Sequence, residues 1–537
     1  MQVRNLTLLA EFSDYGEWYV MEESSYNEDN IIGSPIQEFF RGKTVFLTGG
    51  TGFMGKILIE KILRCCPHVS RIYMLVRQKK NKDFQQRMHE YVEDEIFHKL
   101  NAKARLKVTG IPGDVAQPRL GISNEHRKLL EDSVNIVFHA AATVRFDEQL
   151  PTAVAINVAG TKELFDLARN MRHLKALVHV STAFSNCQLD EIREEIYEPP
   201  TTHQKLIQLT QSIEGKFLNE ITPIILDKRP NTYVYTKAVA EEVVRTLSKG
   251  LPVSIFRPAI GKKSSILQLY WNLPIEIDFL ESYMKSHLSL IRKAYPHNIT
   301  GNTTQHYLVV CLQLIIFFHR TIEDSNQNEN EPAEEVVHEE PTVYNYVSST
   351  QRPITWKQFS ELAVTHGEEC PPTQSLWCFC LTLNKYFLIH YLYVLFLHFL
   401  PAIVMDGIAM VFGKKAGMMG IYKKVNKFSE VLSYFTTRDF AFHNDNVQSL
   451  WRILSPQDKE MFPFDLSSLD WDEYFHYYVR GVRKYLMKED PATIPQAMNK
   501  YKKFKFLHRA LKLVIAFLLL RLLWTNLVPI FLRVSVH

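Results

Sequence analysis

The sequence predicts a doubly wound α/β fold built on a parallel sheet, and three observations predict it. Short apolar segments alternate with segments of helical periodicity between residues 44 and 256. A glycine-rich turn, Leu47–Gly55 (LTGGTGFMG), joins the first of these strands to the first helix. The chain of 537 residues is too long for one ordinary domain, and Pro371-Pro372 offers a linker into a separate C-terminal part.

Composition excludes several classes of protein. The net charge of +4 is small for this length, and no nucleic-acid motif is present, so we expect no nucleic-acid partner. The seven cysteines are scattered without metal-ligand spacing. This pattern predicts reduced thiols in an intracellular protein and no bound metal.

The apolar segments place the elements in order along the chain. Predicted strands are Thr44–Leu47, Ile72–Val76, Leu106–Val108, Val134–Phe138, Ala176–Val180 and Val253–Phe256. Predicted helices are Lys56–Cys66, Asp83–Leu100, Thr152–Asn170 and Asn231–Leu247. Strands that alternate with helices in this way are typical of a Rossmann-type parallel sheet.

The glycine turn has the composition of a dinucleotide site. Gly49, Gly52 and Gly55 have the spacing G-x-x-G-x-x-G between a strand and a helix, directly after Thr48. Glycine permits positive φ and close approach of the backbone to a pyrophosphate, which the N-terminus of the helix can hold. The alternative is a glycine-rich turn that binds nothing.

The end of the second strand indicates which dinucleotide binds. A carboxylate there would bind the 2′-hydroxyl of NAD. Arg77 ends this strand instead, with Lys79 and Lys80 just beyond it. Three cations suit the 2′-phosphate of NADP, and we favour this interpretation over an ordinary basic surface.

A tyrosine and a lysine supply candidate catalytic groups. Tyr233 and Lys237 lie four residues apart and therefore share one face of the predicted helix Asn231–Leu247. An ammonium beside a phenol is expected to lower the pKa of the phenol below its usual value of about 10. Such a phenol can give a proton to a carbonyl oxygen while a hydride reaches the carbon, and a hydroxyl at Ser181 or Thr182 can polarise that oxygen.

Several stretches together resemble the fatty acyl-CoA reductases, a branch of the extended short-chain dehydrogenases/reductases. The resemblance runs from about residue 34 to residue 490. It rests on TGGTGFMG (Thr48–Gly55), FHAAATVRF (Phe138–Phe146), NVAGT (Asn157–Thr161), HVSTAFSN (His179–Asn186), YVYTK (Tyr233–Lys237), VYNYVSS (Val343–Ser349) and WDEYFHYYVRGVRKYLMKED (Trp471–Asp490). The last of these looks like the family's second, sterile-type helical domain.

The resemblance implies a reaction and a role for each residue. NADPH would reduce a long-chain acyl-CoA to an aldehyde with loss of CoA, and a second NADPH would carry the aldehyde to a primary alcohol. Tyr233 would donate the proton, Lys237 would bind the nicotinamide ribose, and Thr182, or alternatively Ser181, would hold the carbonyl. The implied cofactor-binding residues are Thr48, Gly49, Thr51, Gly52, Phe53, Met54, Gly55, Arg77, Asp114 (facing the adenine), Ala140, Lys237 and Pro258.

The predicted domains are a tail (1–33), an NADP-binding reductase domain (34–370), a sterile-type helical domain (371–495) and a basic segment with a membrane helix (496–537). Residues 261–304 depart from the family pattern, which puts substrate choice and activity in doubt, and 321–340 read as an exposed acidic loop. The atypical segment 261–304 keeps open a catalytically weak lipid-binding relative as an alternative. Another membrane-bound reductase, such as a sterol or steroid dehydrogenase, is the second alternative, and Trp471–Asp490 argues against it.

Two apolar stretches predict contact with a membrane. Leu513–Leu532 is long enough to span the bilayer core, although it contains Arg521, and lysines before it favour a cytosolic N-terminal side. The alternative is a helix that lies on the membrane surface. Phe387–Val411 is either a second membrane contact or an apolar helix of the C-terminal domain. We expect the endoplasmic reticulum membrane, with the peroxisomal membrane as the alternative; the sequence leaves the oligomeric state unknown.

Overall fold

The fold is taken from a computed structural model, which describes residues 33–78, 83–98, 100–259, 340–373, 375, 387–413, 417–420, 423, 433–435 and 437–534. Four features predicted above fall wholly or almost wholly outside these residues. They are the N-terminal tail, the pair Lys79 and Lys80, the atypical segment 261–304 and the acidic loop 321–340.

Seven parallel strands form one sheet in the order β3-β2-β1-β4-β5-β7-β8. In chain order the strands are β1 (Thr44–Thr48), β2 (Arg71–Val76), β3 (Val108–Pro112), β4 (Ile136–His139), β5 (Ala176–Val180), β6 (Glu191–Ile192), β7 (Val253–Pro258), β8 (Thr342–Tyr346) and β9 (Ala441–Phe442). β6 and β9 pair separately as a small parallel sheet. The predicted doubly wound parallel fold is confirmed, and its strand order reverses direction between β1 and β4.

The helices of the reductase part are Pro35–Phe40, Phe53–Cys65, Phe84–Val92, Ala102–Arg105, Asn124–Ser133, Leu150–Val154, Gly160–Ala168, His203–Ser212, Gly215–Leu226 and Thr232–Leu247. Those that follow are Trp356–Glu369, Phe387–Val394, Leu400–Val411, Asp445–Ile453, Pro456–Met461, Trp471–Gly481 and Ile494–Val534.

The largest differences from the predicted elements are in the third strand and in two helices. The third strand is Val108–Pro112 rather than Leu106–Val108, because Leu106 caps a short helix and its side chain is 79% exposed. The predicted helix Asp83–Leu100 ends at Val92, and Asp94 caps a separate 3₁₀ turn. The predicted helix Thr152–Asn170 contains a π-helical turn at Ala155–Ala159.

Side chains alternate across the sheet and so build a core on each face. Val45 and Leu47 point into one core, together with the helix Phe53–Cys65 and with Phe462 and Phe464 from the C-terminal part. Phe46, between them in β1, points into the opposite core. Helices on both faces give the three layers expected for this fold.

The C-terminal part is helical, as the resemblance implied. Its helix Trp471–Gly481 packs on Trp356–Glu369, the last helix of the predicted reductase domain, through Phe475 and Phe359, whose ring centroids are 4.7 Å apart. Lys61 donates a hydrogen bond of 2.8 Å from the reductase core to the carbonyl oxygen of Met461. The C-terminal helices therefore pack directly on the reductase core.

The last helix is long, running from Ile494 to Val534. Within the part of the chain that the structure describes, no helix combines the length and the apolar character needed to cross a membrane.

Candidate active site

The glycine turn is held so tightly that two of its glycines are sterically required. Gly49 has φ +77°, and a Cβ there would lie 2.6 Å from the carbonyl carbon of Ala140. A Cβ on Gly55 would lie 2.5 Å from the carbonyl oxygen of Gly49. The turn therefore packs backbone against backbone, both within itself and against the end of β4.

The remaining turn residues surround the start of the first helix. Gly52 caps the helix Phe53–Cys65 and donates a hydrogen bond of 2.9 Å from its N–H to Gly49 O. Thr51 is half-buried, and Met54 packs against the sheet core. Because Gly52 offers no capping side chain, the first N–H groups of the helix are left to a ligand, as a phosphate site needs.

Thr48 has an internal partner. Its hydroxyl lies 2.7 Å from Nδ1 of His139, and Nε2 of His139 lies 3.0 Å from the hydroxyl of Thr161. Thr161 donates its own proton to Asn157 O at 2.7 Å, so His139 Nε2 donates and Nδ1 accepts from Thr48. Burial lowers the pKa of His139 to about 3, which keeps it neutral. These contacts give Thr48 and His139 a structural role that joins β1 to β4.

Arg77 and Asp114 lie together at the carboxyl ends of β2 and β3. Arg77 Nε is 4.0 Å from Asp114 Oδ2, and the Arg77 side chain is 60% exposed. The other oxygen of Asp114 accepts the N–H of Ala116 at 3.0 Å. This loose pair leaves the guanidinium accessible beside the glycine turn.

Ala140 and Pro258 also lie at this edge of the sheet. Ala140 donates its N–H to Thr48 O at 3.2 Å directly after β4, and Pro258 ends β7. The predicted cofactor residues thus lie at the carboxyl ends of the neighbouring strands β3, β2, β1 and β4, and of β7. In this fold, ligands bind at that edge of the sheet.

Tyr233 lies in the first turn of the helix Thr232–Leu247, which we call the tyrosine helix. Asn231 caps this helix by accepting the N–H of Val234 at 2.9 Å. Burial raises the pKa of Tyr233 to about 12, against the opposing effect of a hydrogen bond with Thr182. The hydroxyl of Thr182 is therefore the one that lies beside the phenol.

The expectation that Lys237 lowers the pKa of Tyr233 is wrong for this structure. Lys237 Nζ donates to the carbonyl oxygen of Val180 at 2.7 Å. Burial lowers the pKa of Lys237 to about 8, while Glu241 acts in the opposite direction. Desolvation dominates both groups, because the first turns of this helix are buried on all sides.

Ser181 has a different partner from Thr182. Its hydroxyl donates to Glu241 Oε1 at 2.5 Å, and Ser185 donates to the same oxygen at 3.0 Å. Arg257 donates to both oxygens of Glu241, at 2.9 and 2.7 Å, and this ion pair is buried. Of the two candidate hydroxyls, the geometry thus favours Thr182 for the carbonyl and gives Ser181 a supporting role.

Sequence reasoning missed this buried ion pair. The available signal was the position of Glu241 one helical turn after Lys237, on the same face of the helix. A second missed residue is Asn157, inside the π-helical turn. Its amide nitrogen donates to Thr236 at 2.9 Å and to Thr143 O at 3.2 Å, so it ties the tyrosine helix to the loop after β4.

Aromatic side chains cover Tyr233. The rings of Phe146 and Tyr233 have centroids 5.8 Å apart, and Phe146 also lies 5.7 Å from Phe435. Phe435 contacts Phe184 at 5.4 Å. Because Phe435 comes from the C-terminal part, both parts of the chain build the apolar surroundings of the phenol.

Comparison with known proteins shows the family of this chain. Residues 47–280 match an NAD-binding family model and residues 397–489 a Sterile model, both described as male sterility protein. The chain is 39% identical to "Fatty acyl-CoA reductase wat" of Drosophila melanogaster, over 88% of this chain and 90% of that relative. This chain belongs to the fatty acyl-CoA reductase family.

Two further similarities also cover most of the chain. "Fatty acyl-CoA reductase 1" of Homo sapiens is 32% identical over 91% of this chain and 93% of its own length. Among solved structures, the terminal R domain from the myxalamid biosynthetic pathway is 18% identical with a TM-score of 0.48, over 82% of this chain and 90% of that one. The identity to the named reductases over most of the chain confirms the resemblance stated from the motifs, and the interpretation as a sterol or steroid dehydrogenase is not favoured.

Proposed function

We propose that this protein reduces long-chain acyl-CoA to a primary alcohol through an aldehyde, with release of CoA and consumption of two NADPH. The observation that carries the proposal is the buried Tyr233–Thr182 pair at the sheet edge that holds the glycine turn. The names of the relatives supply the substrate class.

The residues of the site divide the chemistry between them. When bound, the nicotinamide would supply the hydride that adds to the thioester carbon. Thr182 positions the carbonyl oxygen, and Tyr233 gives that oxygen its proton. A pKa of about 12 keeps the phenol protonated at neutral pH, so it is ready to donate. The resulting hemithioacetal releases CoA as its thiol and leaves the aldehyde, which a second cycle reduces at the same groups.

Lys237 lies one helical turn after Tyr233 and has a supporting role. Its pKa of about 8 leaves the ammonium largely charged at neutral pH. Fixed by its hydrogen bond to Val180 O, this ammonium can bind the ribose of the cofactor. The Glu241–Arg257 pair holds Ser181, next to Thr182, in place.

NADPH is the proposed cofactor. Arg77 is exposed beside the turn, and its partner Asp114 lies at the outer limit of an ion pair. A 2′-phosphate would form a shorter, charge-assisted contact with the guanidinium. The pyrophosphate would take the N–H groups after Gly52.

We also propose that the C-terminal helix attaches the protein to the endoplasmic reticulum membrane with the catalytic part in the cytosol. Large apolar side chains are exposed along it, including Leu513, Phe517 and Trp524. Lysines before this stretch would attract anionic lipid. Membrane attachment suits a substrate whose acyl chain partitions into lipid.

Product analysis tests the proposed reaction. Membranes that carry the protein are given palmitoyl-CoA with NADPH or with NADH, and lipid products are measured by mass spectrometry. We expect hexadecanol with NADPH and little with NADH. A bound cofactor with neither alcohol nor aldehyde, across acyl-CoAs of several chain lengths, would contradict the proposal and favour a non-catalytic relative.

A further inference from the structure

Two buried donor groups directly before the tyrosine helix have no acceptor within the part of the chain that the structure describes. Arg229 is 9% exposed, and its Nε makes no hydrogen bond to any described residue. Asn231 is 4% exposed; its Oδ1 caps the helix, which fixes Nδ2 as a donor, and that donor also has no partner. Buried donors without acceptors are costly and rare, so this pair indicates a missing acceptor.

The charge of Arg229 is uncompensated as well. Among the described residues no carboxylate lies within ion-pair distance of its guanidinium, although Asp227 is near enough to act in favour of its charged form. Burial dominates and lowers the pKa of Arg229. An anion that bound here would relieve the cost of an isolated buried charge.

A second cation reaches the same place from the C-terminal part. Arg438 donates to the hydroxyl of Tyr434 at 2.9 Å, and Tyr434 donates to Cys187 O at 3.0 Å. Both Arg229 and Arg438 act electrostatically on the thiol of Cys187. Arg438 thus contacts Tyr434 directly, and Arg229 is near enough to act electrostatically on the same phenol and thiol.

Aromatic contacts connect Tyr434 to the catalytic phenol. Tyr434 lies 5.3 Å from Phe435, Phe435 lies 5.7 Å from Phe146, and Phe146 lies 5.8 Å from Tyr233, between ring centroids. The cations are thus separated from the reacting centre by a short apolar layer. In an acyl-CoA, the pantetheine arm likewise separates the thioester from the phosphates.

We propose that Arg229, Asn231 and Arg438 bind a phosphate group of the coenzyme A part of the substrate. The proposal rests on the acyl-CoA reductase function given above. The phosphates are the only anionic groups of an acyl-CoA, and guanidinium groups pair with them in a fixed geometry. The phosphates of the dinucleotide have their own site at the glycine turn and Arg77.

The test compares palmitoyl-CoA with S-palmitoylpantetheine, which has the same thioester but no phosphate. Arg438→Gln is expected to raise the KM for palmitoyl-CoA about tenfold, as the loss of one charge-assisted contact would. The KM for S-palmitoylpantetheine should stay within about twofold of the wild-type value. Arg172→Gln is the matched control, because Arg172 pairs with Asp132 before β5, at the opposite edge of the sheet.

The melting temperature of the Arg229→Gln variant distinguishes a binding role of Arg229 from a purely structural one. Removing an unpaired buried charge should raise the melting temperature of the protein without CoA, whereas loss of a structural contact would lower it. The same variant should weaken the binding of free coenzyme A, measured by calorimetry without turnover, by tenfold or more.

Three results would overturn the phosphate site: equal KM increases for both thioesters, an unchanged KM for palmitoyl-CoA in both variants, or no binding of coenzyme A by the wild-type protein. Coenzyme A that binds and depends on Arg229 and Arg438, without any reduction of either thioester, would support the site and overturn the proposed reaction instead.

Discussion

The glycine turn and the Glu241–Arg257 pair both stabilise the active site, but by different physical means. At the turn, backbone atoms approach so closely that a Cβ on Gly49 or Gly55 would clash. Behind the catalytic groups, a buried ion pair orders hydroxyl groups from the loop after β5. The turn requires the absence of side chains, whereas the ion pair requires two charged side chains in mutual contact.

This difference determines how each region responds to substitution. A side chain added at one of these glycines introduces local strain, and the cost in stability depends on the atoms that surround the added Cβ. A substitution that removes one partner of a buried ion pair leaves the other charge buried without compensation, which lowers stability. We therefore expect the ion pair to dominate stability and the glycine turn to dominate cofactor binding.

The largest expected effect on stability is that of Glu241→Gln. The change leaves Arg257 buried without a counter-charge, so the free energy of unfolding should fall by about 3–5 kcal/mol. Chemical denaturation of the purified protein in detergent measures it.

An exposed ion pair provides the control. Lys357 and Glu361 lie on the surface of one helix at 3.9 Å, and Glu361→Gln should cost less than about 0.5 kcal/mol. Equal losses in the two variants would show that burial of Glu241 does not determine the effect. The double variant Glu241→Leu/Arg257→Met should regain part of the loss, because no isolated charge remains.

Gly49→Ala should act mainly on the cofactor. An alanine at φ +77° costs about 1–3 kcal/mol, and its Cβ would also press on Ala140. NADPH binding, followed by quenching of protein fluorescence, should weaken by at least about tenfold.

Gly42→Ala is a control that introduces backbone strain without a steric clash. Gly42 has φ +67°, but a Cβ there would meet nothing within 4 Å. This variant should lose some stability and keep wild-type affinity for NADPH. Comparable loss of NADPH affinity in both variants would mean that close approach at Ala140 is not what the turn requires.

Arg77→Gln should have the smallest effect and should change selectivity. Loss of the guanidinium should raise the KM for NADPH about tenfold and leave the KM for NADH nearly unchanged. Arg71→Gln, at the other end of β2, is the matched control. An unchanged ratio of the two KM values in Arg77→Gln would remove this residue from the cofactor site.

The same comparison explains what the sequence could predict. Gly49, Gly52 and Gly55 meet a local requirement, so their spacing within seven residues is enough to indicate the turn. Tyr233 and Lys237 were also visible, because their i, i+4 spacing lies within one helix. The ends of the strands were less certain: Leu106 is apolar, yet it caps a helix and faces solvent.

Contacts between distant segments left no comparable signal. Ser181, Glu241 and Arg257 come from three separate elements, and only the folded sheet brings them together. For the same reason the sequence allowed either Ser181 or Thr182 to hold the carbonyl. The shift in the pKa of Tyr233 was predicted with the wrong sign, because burial by Phe146 and its neighbours could not be read from spacing.

The most direct test of the account is Tyr233→Phe, with NADPH binding and single-turnover product formation measured on the same preparation. We expect NADPH affinity to be unchanged, while formation of aldehyde and alcohol from palmitoyl-CoA falls by about 10²–10⁴-fold. Wild-type rates of product formation in this variant would contradict the role of the buried phenol as proton donor.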